Sequence, residues 1–304
     1  MMKNVFHVFA LLVLVVSLIG VLIFTGIVGC NVVPSGCDAY YFAKGPPTLL
    51  IAYGSGGLGD YAKLESILNN RQIINGSIRT MNIDRLSKGN INNFDLIIVE
   101  SAKEICTSKL KVFEDYVTKG GRLVWTGDAG TQKCEGDEYL LNGERVDGGT
   151  DKAIGPWARR DGSKQVSFDE FLGLNYKDNF CNLGNCDGSE IGRIEITNSD
   201  HKLTMGLSPT IPFSQDFAIV KLNKGGTVRL VATLDYGTNF LGESEGLPWL
   251  ASGKFDFGKN LVFISSSQIG ERVAYYATPI EAFVQEEYEY RALIEQMYYG
   301  LLYN

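Results

Sequence analysis

Short apolar runs and amphipathic segments alternate along the chain from residue 48 onwards. The apolar run at residues 48–53 is followed by turn residues, and apolar side chains then recur at helical spacing over residues 61–68. Residues 77–83 predict a second strand. The third, Phe-Asp-Leu-Ile-Ile-Val at residues 94–99, is apolar enough for burial on both faces, which is typical of a parallel strand.

The next segments repeat this order of strand and helix. Apolar residues at helical spacing between 110 and 117 predict a helix that Thr107 or Ser108 would cap, and residues 122–126 predict a fourth strand. Repeated β-α-β units imply a parallel sheet with helices on both of its faces. We therefore expect an α/β domain with a mostly parallel, doubly wound, flavodoxin-like sheet.

The carboxyl-terminal part supplies further elements of the same domain, which we place at residues 48–304. Three more strands are predicted at residues 191–197, 217–222 and 228–234. Residues 250–264 predict a hairpin that turns around residues 257–260, and residues 286–303 predict a closing amphipathic helix.

The amino terminus has a different pattern, because residues 5–28 carry no formal charge. A helix of that length covers the roughly 30 Å hydrocarbon core of a bilayer. Lys3 precedes it, so the positive-inside rule places the amino terminus in the cytoplasm and the rest outside. We expect a single-pass protein of the cell membrane. Residues 1–30 would be a transmembrane signal anchor in contact with membrane lipid, residues 31–47 a stalk, and the domain extracytoplasmic.

An alternative for the amino-terminal segment is cleavage. Ile27-Val28-Gly29-Cys30 resembles a lipobox, in which cleavage before the cysteine leaves Cys30 lipid-modified. The apolar run is longer than the roughly 7–15 residues of a cleaved signal sequence, which favours the retained anchor. Both alternatives predict an exported and tethered domain.

Composition excludes one class of partner. The chain has 304 residues with 28 basic and 35 acidic side chains, a formal net charge of −7. Lys3 is the only charged residue among the first thirty, so the acidic surplus belongs to the rest of the chain. Such a surface repels polyphosphate, and we expect no nucleic-acid partner.

Cysteine usage agrees with an exported domain, since an even count of six is expected where disulfides form. Cys181 and Cys186 bracket a short, turn-prone loop that a disulfide would close. Zinc is disfavoured because two more soft ligands would be needed, and His201 is the only histidine outside the amino-terminal segment. We predict no metal and no cofactor.

The stretch from Asn93 to Asp128 resembles a known family. A Phe-Asp-Leu-Ile-Ile-Val strand, a helix ending Phe-Glu-Asp-Tyr-Val-Thr-Lys-Gly-Gly, and then Arg-Leu-Val-Trp-Thr-Gly resemble the class I glutamine amidotransferase-like superfamily, including its non-amidotransferase branches. Residues 198–207 resemble its Asp-His-Pro-hydrophobic-Thr-x-Gly-Leu segment, with Lys202 where proline is usual.

The resemblance implies a triad that this chain lacks. Active amidotransferases carry a cysteine on the tight elbow after a strand, completed by a histidine and a glutamate. The corresponding elbow here reads Gly127-Asp128-Ala129-Gly130, without cysteine. There is no late His-x-Glu pair, and Ser265-Ser266-Ser267-Gln268 follows the last buried strand. We therefore expect a non-catalytic branch that does not hydrolyse glutamine.

A glycine-rich turn follows the first strand. Gly54, Gly56 and Gly59 have the spacing of a dinucleotide fingerprint, but Asp84 falls later than the usual acidic residue about 20 positions on. A plain glycine-rich turn is favoured, and the helix amino terminus after it offers N–H groups to an anion.

Candidate site residues follow from the topology, because ligands of parallel sheets collect beyond the carboxyl ends of the strands. The candidate ligand-binding residues at that edge are Gly54, Ser55, Gly56, Ser101, Gly127 and Asp128. The long segment 127–164 is a candidate lid there, rich in acidic residues but without calcium-loop spacing. Strands three and four are expected neighbours, so Cys106 and Cys134 leave adjacent loops and form a second predicted disulfide.

Two functions follow from these residues. The first is a tethered, extracytoplasmic ligand-binding, partner-binding or scaffold domain, with a protein partner at the cell surface as one option. The alternative is an extracytoplasmic hydrolase that uses Asp128 and Ser101. His201 is a third catalytic candidate, although a lone histidine more often fixes a turn. Asn75-Gly76-Ser77 is a glycosylation acceptor in an exported chain.

Overall fold

The structure, a computed structural model, describes most of the chain. The described residues are 2–24, 36–70, 76–146, 150–184, 186–223, 227–281, 295–296, 298 and 300–302. The predicted lipidation site Cys30, the glycosylation site Asn75 and most of the predicted closing helix lie outside them.

Sixteen strands and six α-helices are assigned in the described part of the chain. The strands are β1 (Thr48–Tyr53), β2 (Ser77–Asn82), β3 (Leu96–Glu100), β4 (Arg122–Thr126), β5 (Glu138–Tyr139), β6 (Leu141–Val146), β7 (Thr150–Ala153), β8 (Ala158–Asp161), β9 (Lys164–Ser167), β10 (Leu174–Asn179), β11 (Gly192–Ile196), β12 (Thr210–Phe213), β13 (Ala218–Leu222), β14 (Val228–Ser244), β15 (Gly253–Ser267) and β16 (Val273–Tyr276). The helices are α1 (Met2–Phe24), α2 (Gly36–Lys44), α3 (Tyr61–Leu68), α4 (Thr107–Thr118), α5 (Phe168–Leu172) and α6 (Phe180–Leu183).

A nine-stranded sheet forms the centre of the fold, in the order β12-β11-β14-β15-β16-β4-β3-β1-β2. The five strands from β16 to β2 are parallel, and the pairings from β16 to β12 are antiparallel. All five residues of β3 are buried, as expected of a parallel strand covered on both faces. The predicted α/β class and the parallel first half are therefore confirmed, whereas the second half of the sheet is antiparallel.

The predicted transmembrane anchor is wrong. In the part of the chain that the structure describes, no helix combines the length and the apolar character needed to cross a membrane. Helix α1 is assigned over Met2–Phe24, and residues 25–28 of the predicted span lie outside the described residues. The structure therefore corrects two predictions. One is the membrane span before the α/β domain, and the other is the single-pass location at the cell membrane.

Strand order reverses between β1 and β3. The chain moves from β1 outward to β2, and from β3 in the opposite direction to β4. Because crossovers of this kind are right-handed, α3 and α4 lie on opposite faces of the sheet. The reversal leaves a crevice beyond the carboxyl ends of β1 and β3, which is where open α/β sheets bind ligands.

The predicted hairpin at residues 250–264 is also wrong. Residues 253–264 belong to one long strand, β15, which pairs along its length with β14, and the turn between the two strands lies at residues 245–252. Gly258 lies at an irregularity in the pairing, with φ +88°, and its N–H donates to Asp256 Oδ1 at 2.8 Å. The glycine therefore makes a β-bulge within the strand rather than a turn.

The segment predicted to be a stalk contains helix α2. The Tyr41 hydroxyl donates to the Leu302 carbonyl at 3.0 Å, and Lys44 forms an ion pair with Asp95 at the foot of β3. These contacts join α2 to the start of β3 and to the carboxyl-terminal residues.

The structure contains both predicted disulfides. Cys106 and Cys134 have Cα atoms 4.9 Å apart, and Cys181 and Cys186 have Cα atoms 5.0 Å apart. The first closes a sequence separation of 28 residues and the second a separation of 5. The first links the loop after β3 to the segment that follows β4.

We predict unequal contributions from the two disulfides. Replacing Cys106 and Cys134 by serine should lower the free energy of unfolding by about 3–4 kcal/mol, because a long loop of the unfolded chain is released. Replacing Cys181 and Cys186 should cost less, about 2 kcal/mol, since that loop is short. Urea unfolding of both double variants under non-reducing conditions measures the difference. A larger loss from the short loop would contradict the prediction.

Candidate functional site

The elbow after β4 carries no side chain that can act as a nucleophile. Gly127 occupies it with φ +52°, and its N–H donates to the Tyr276 carbonyl at 2.7 Å. A Cβ atom at this glycine would lie 3.1 Å from Cβ of Leu58. A turn follows over residues 127–130, and the next assigned element is strand β5 rather than a helix. The geometry thus departs from the amidotransferase arrangement in both residue and backbone.

Asp128 is a buried carboxylate with both oxygens engaged. It is 1% exposed, and Oδ1 accepts a hydrogen bond from the Leu58 N–H at 2.7 Å. Oδ2 accepts from the Asn179 amide at 3.1 Å and lies 3.5 Å from Lys103 Nζ. The carboxylate therefore fastens the loops after β1 and β3 to the end of β10. Each oxygen therefore already has a hydrogen-bond partner within the protein.

The glycine loop between β1 and α3 is bound to the loop after β3. The Gly54 N–H donates to the Ser101 carbonyl at 3.1 Å, and the Ser101 N–H donates to the Leu58 carbonyl at 3.1 Å. The Lys103 N–H donates to the Gly56 carbonyl at 3.2 Å. Ser101 itself has φ 48°, a conformation unusual for a residue with a side chain. Of the predicted ligand-binding residues here, Ser55 is exposed on the outer side of the loop.

The amino terminus of α3 is already capped by the chain itself. Asp60 Oδ1 accepts hydrogen bonds from the N–H groups of Ala62 at 3.0 Å and Lys63 at 3.2 Å. A carboxylate in this position takes the donors that an anionic ligand would use. An anion site at this helix end is therefore disfavoured.

A cavity of about 460 Å³ opens beside Asp128, beyond the carboxyl ends of β3 and β4. Three aromatic residues line it, namely Tyr139, Tyr176 and Trp249. The Tyr139 and Trp249 rings meet edge to face at 5.3 Å between centroids, and Tyr176 meets Trp249 in the same way at 6.3 Å. This size is within the usual range of small-ligand pockets.

Polar groups surround the aromatic wall. The cavity is also bordered by Lys103, Gln132, Asp178, Asn182 and Glu245. Several of them are held in place: Asn182 donates to Asp178 Oδ1 at 2.7 Å, and Trp249 Nε1 donates to the Lys177 carbonyl at 3.0 Å. The Tyr176 hydroxyl donates to Asn179 Oδ1 at 3.0 Å. The wall of the cavity is therefore largely pre-organised.

The segment predicted as a lid is a small β-structure anchored by Arg159. Its strands form the sheet β5-β8-β9 and the hairpin β6-β7. Arg159 is fully buried, and its guanidinium donates to the carbonyls of Ile105 and Gln132 at 2.7 and 3.1 Å, as well as to those of Pro156 and Gly130. Burial lowers the pKa of Arg159 to about 10.

Arg159 also positions one wall of the cavity. Its guanidinium lies over the Tyr139 ring, 5.5 Å from the centroid, and Lys133 Nζ lies 5.9 Å from the same ring. A cation over the face of an aromatic ring is attracted by its quadrupole. The insertion therefore contributes Tyr139 to the cavity as a fixed residue.

His201 stabilises a turn that lies away from the carboxyl edge of the sheet. The Leu203 N–H donates to Nδ1 at 3.2 Å, which assigns the proton of the neutral ring to Nε2. Nε2 lies 3.1 Å from Ser266 Oγ and 3.0 Å from Glu271 Oε2. Both groups therefore face the nitrogen that carries the proton. The ring has no acceptor position with which to remove a proton from Ser266.

The three catalytic candidates are not brought together. Ser101 and Asp128 follow the carboxyl ends of β3 and β4. His201 contacts Ser266, which lies level with Val124 in the interior of β4 rather than beyond its end. A combined acid-base site from these residues is thus absent from the described structure.

One group of three metal-ligating residue types occurs among the described residues. Cys181, Cys186 and Asp216 lie close enough together to share an ion. The two sulfur atoms form a disulfide with each other, so neither is a thiolate ligand. The group is therefore not a metal site in this state.

Sequence reasoning missed Tyr176, Asn179 and Trp249. These residues reach the cavity or Asp128 from β10 and from the turn between β14 and β15. The only local signal was a tryptophan directly after the turn residues Gly246-Leu247-Pro248. Nothing in the sequence around Tyr176 and Asn179 indicates their distant partners.

Comparison with known proteins supports the fold. No protein-family model and no curated protein matches the chain. A ThuA-like protein from Bacteroides uniformis superposes with a TM-score of 0.52 at 14% identity, over 84% of this chain and 92% of that one. A cold-adapted β-galactosidase from Rahnella sp. R3 gives 0.51 at 14% identity, over 84% of this chain but 30% of the enzyme.

A glutamine amidotransferase from Thermotoga maritima is also among the structural neighbours, with a TM-score of 0.48 at 10% identity, over 84% of this chain and 98% of that one. The likeness to the ThuA-like protein supports the α/β fold. At these identities the likeness concerns the fold and not the activity.

We predict that His201 makes stability dependent on pH. Burial lowers the pKa of His201, although the charge of Glu271 opposes this. The unfolded chain therefore binds the proton more readily, and the stability due to the neutral ring is complete above about pH 6.5 and lost as the pH falls below it. Urea unfolding at about pH 7.5 and pH 5.5 should show a smaller loss in His201→Gln than in the wild type.

The matched control is His7→Gln, which changes the only other histidine of the chain. His7 lies in α1 with an exposed side chain. An equal effect of the two substitutions on the pH dependence would refute the assignment to His201.

Proposed function

We propose that this chain is a non-catalytic binding domain whose ligand is a small, uncharged, polyhydroxylated molecule of the sugar class. The observation that carries the proposal is the cavity beside Asp128, in which three aromatic rings stand among hydrogen-bonding side chains. A glutamine amidotransferase-like fold with a glycine at its elbow supports binding rather than turnover.

The aromatic wall favours a ligand with apolar C–H faces. Tyr139, Tyr176 and Trp249 line the cavity, and the negative face of an aromatic ring attracts weakly positive C–H groups. A flat aromatic ligand would also stack there. The surrounding polar groups select against it, because they would lose their hydration without gaining partners.

The polar wall favours hydroxyl groups. Asp178 and Glu245 offer acceptors, Lys103 offers a donor, and Gln132 and Asn182 offer both. Carboxylates and a cation border the same cavity, so a ligand of either charge meets repulsion from one side. Hydroxyl groups can donate to the first kind of group and accept from the second, which matches this mixed lining.

Pre-organisation supports affinity for a small molecule. Hydrogen bonds hold Asn182, Trp249 and Tyr176, and the Cys181–Cys186 disulfide lies next to Asn182. Side chains that are already ordered lose little freedom when a ligand binds. This disulfide and the Cys106–Cys134 disulfide support folding in an oxidising compartment.

The geometry argues against the hydrolase alternative. Asp128 accepts hydrogen bonds at both oxygens, and His201 lies away from the carboxyl edge of the sheet. A general base must be within hydrogen-bond reach of the proton that it removes. Neither residue meets that condition at the cavity.

We predict that sugars change the fluorescence of Trp249. Trp125 and Trp157 are fully buried, so Trp249 is the tryptophan that a ligand in the cavity can reach. Titration of the full chain with galactose, maltose, cellobiose and N-acetylglucosamine should shift its emission for at least one of them. Trp249→Ala and Tyr139→Ala should each weaken that sugar about tenfold in calorimetry, through loss of aromatic contact.

Phe255→Ala is the matched control. Phe255 is a half-buried aromatic residue of β15, close in sequence to Trp249 but not part of the cavity lining. It should leave sugar affinity unchanged. The proposed ligand class would be refuted if none of the four sugars bound at a sugar concentration of about 1 mM. It would also be refuted if all three variants lost the same sugar affinity. Release of a hydrolysis product from either disaccharide would refute the non-catalytic assignment.

A further inference from the structure

The side chains of Lys103, Asp128 and Asn179 meet at the carboxyl edge of the sheet. Lys103 Nζ lies 3.5 Å from Asp128 Oδ2, and the Asn179 side-chain amide donates to the same oxygen at 3.1 Å. One carboxylate oxygen therefore holds an amine and a carboxamide side by side. The three residues come from the loop after β3, the elbow after β4 and the end of β10, so only the folded chain brings them together.

The carboxamide end of this group is enclosed. Asp128 is 1% exposed and Asn179 is 6% exposed, whereas Lys103 is half-buried and also borders the aromatic cavity. The fully buried Trp157 packs beside Tyr176, with 5.8 Å between the ring centroids. Burial keeps bulk water from the Asn179 carboxamide, so the nucleophile held next to it is the lysine amine.

A β-bulge points Tyr176 and Asn179 at the same place. The pairing of β10 with β13 shifts in register between Tyr176 and Asp178. In a regular strand, side chains alternate between the two faces, so residues three apart point to opposite sides. The irregularity brings these two side chains together. As a result, the Tyr176 hydroxyl donates to Asn179 Oδ1 at 3.0 Å.

The Tyr176 hydroxyl polarises the carboxamide of Asn179. A donor on a carbonyl oxygen stabilises the negative charge that develops there when a nucleophile attacks the carbon. Burial, followed by the charge of Asp128, raises the pKa of Tyr176 well above its usual range, so the hydroxyl keeps its proton. The site thus combines an amine, a proton acceptor and a polarised carbonyl carbon.

We propose that Lys103 and Asn179 become joined by an isopeptide bond, which the folded chain forms by itself with Asp128 as the proton carrier. The Lys103 ammonium gives a proton to Asp128, and the lone pair of the resulting amine attacks Cγ of Asn179. The Nζ–Cγ bond forms and the Cγ–Nδ2 bond breaks. Asp128 passes to Nδ2 the two protons that Nζ loses, so Nδ2 leaves as an ammonium ion and Asp128 ends as a carboxylate. No other reactant takes part.

The bond adds a covalent link at the place where the loops of this edge converge. It ties the loop after β3 to β10, and the Cys106–Cys134 disulfide ties the same loop to the segment after β4. The new amide keeps one N–H donor beside the aromatic cavity. The proposal is therefore independent of the ligand proposed for that cavity.

The test is the intact mass of the full chain after denaturation and reduction of its disulfides. The wild type should be lighter than the mass of its sequence by one molecule of ammonia. Tryptic digestion should give a branched peptide that joins the segments around Lys103 and Asn179, without cleavage after Lys103. A wild-type mass equal to that of the sequence, or a cross-link between other residues, would overturn the proposal.

Three variants assign the roles. Lys103→Arg should have its full sequence mass, because a guanidinium stays protonated and cannot attack while its charge still pairs with Asp128. Asn179→Ala removes the reacting carbon and should also have its full mass. Asp128→Asn keeps the size of the side chain but cannot take up the proton, so most of the chain should stay unlinked. Lys133→Arg is the matched control, since Lys133 lies over the Tyr139 ring, and it should lose ammonia as the wild type does.

A second reaction that releases ammonia is distinguished by the same variants. Asparagine can cyclise onto the backbone N–H of the next residue, and the sequences Asn75-Gly76 and Asn142-Gly143 leave room for it. That reaction does not involve a lysine and gives no branched peptide. A loss of ammonia that persists in Lys103→Arg would therefore refute the isopeptide bond, as would a wild-type loss that maps to either Asn-Gly sequence.

Discussion

The buried carboxylate of Asp128 sets the arrangement of the whole carboxyl edge of the sheet. A charge removed from water must be paired, and here the partners come from three places: the Leu58 N–H after β1, Lys103 after β3 and Asn179 at the end of β10. Loops that would otherwise leave the sheet separately are thereby drawn to one point. Asp128 and its partners fill the centre of the crevice that is expected where strand order reverses. The crevice remains open on either side of them.

The two open sides have different chemistry. Lys103 borders the aromatic cavity, whereas Leu58 borders a second cavity of about 300 Å³, so Asp128 stands between them. One cavity combines aromatic rings with mixed donors and acceptors, and the other is bordered mainly by the carboxyl groups of Asp60, Asp216 and Glu281. Neither requires a nucleophile, and the elbow that would carry one has a glycine. The residues at that edge therefore support the proposed binding role rather than covalent catalysis.

Arg159 explains how a long insertion became part of this edge. Its guanidinium is buried, has no carboxylate partner in the part of the chain that the structure describes, and donates to four backbone carbonyls instead. Those carbonyls belong to the loops after β3 and β4 and to the insertion itself, so one side chain joins all three. The Cys106–Cys134 disulfide connects the same loops covalently. A segment with the length of a lid is therefore a fixed wall that presents Tyr139.

Local pattern was sufficient for β1 to β4, α3 and α4, because a strand buried on both faces and a helix buried on one each require a characteristic spacing of apolar residues. The adjacency of β3 and β4 then followed from topology, and with it the Cys106–Cys134 pair. The pattern misjudged Gly258, where a bulge and a turn use the same residue types. It also misjudged the amino-terminal apolar run, since no helix among the described residues is long and apolar enough to span a membrane. Only the tertiary structure brought Asn179 to Asp128, Trp249 to Tyr139 and Glu281 to Glu100. The physical reason is that burial leaves a periodic trace in the neighbouring sequence, whereas a contact between distant side chains leaves none.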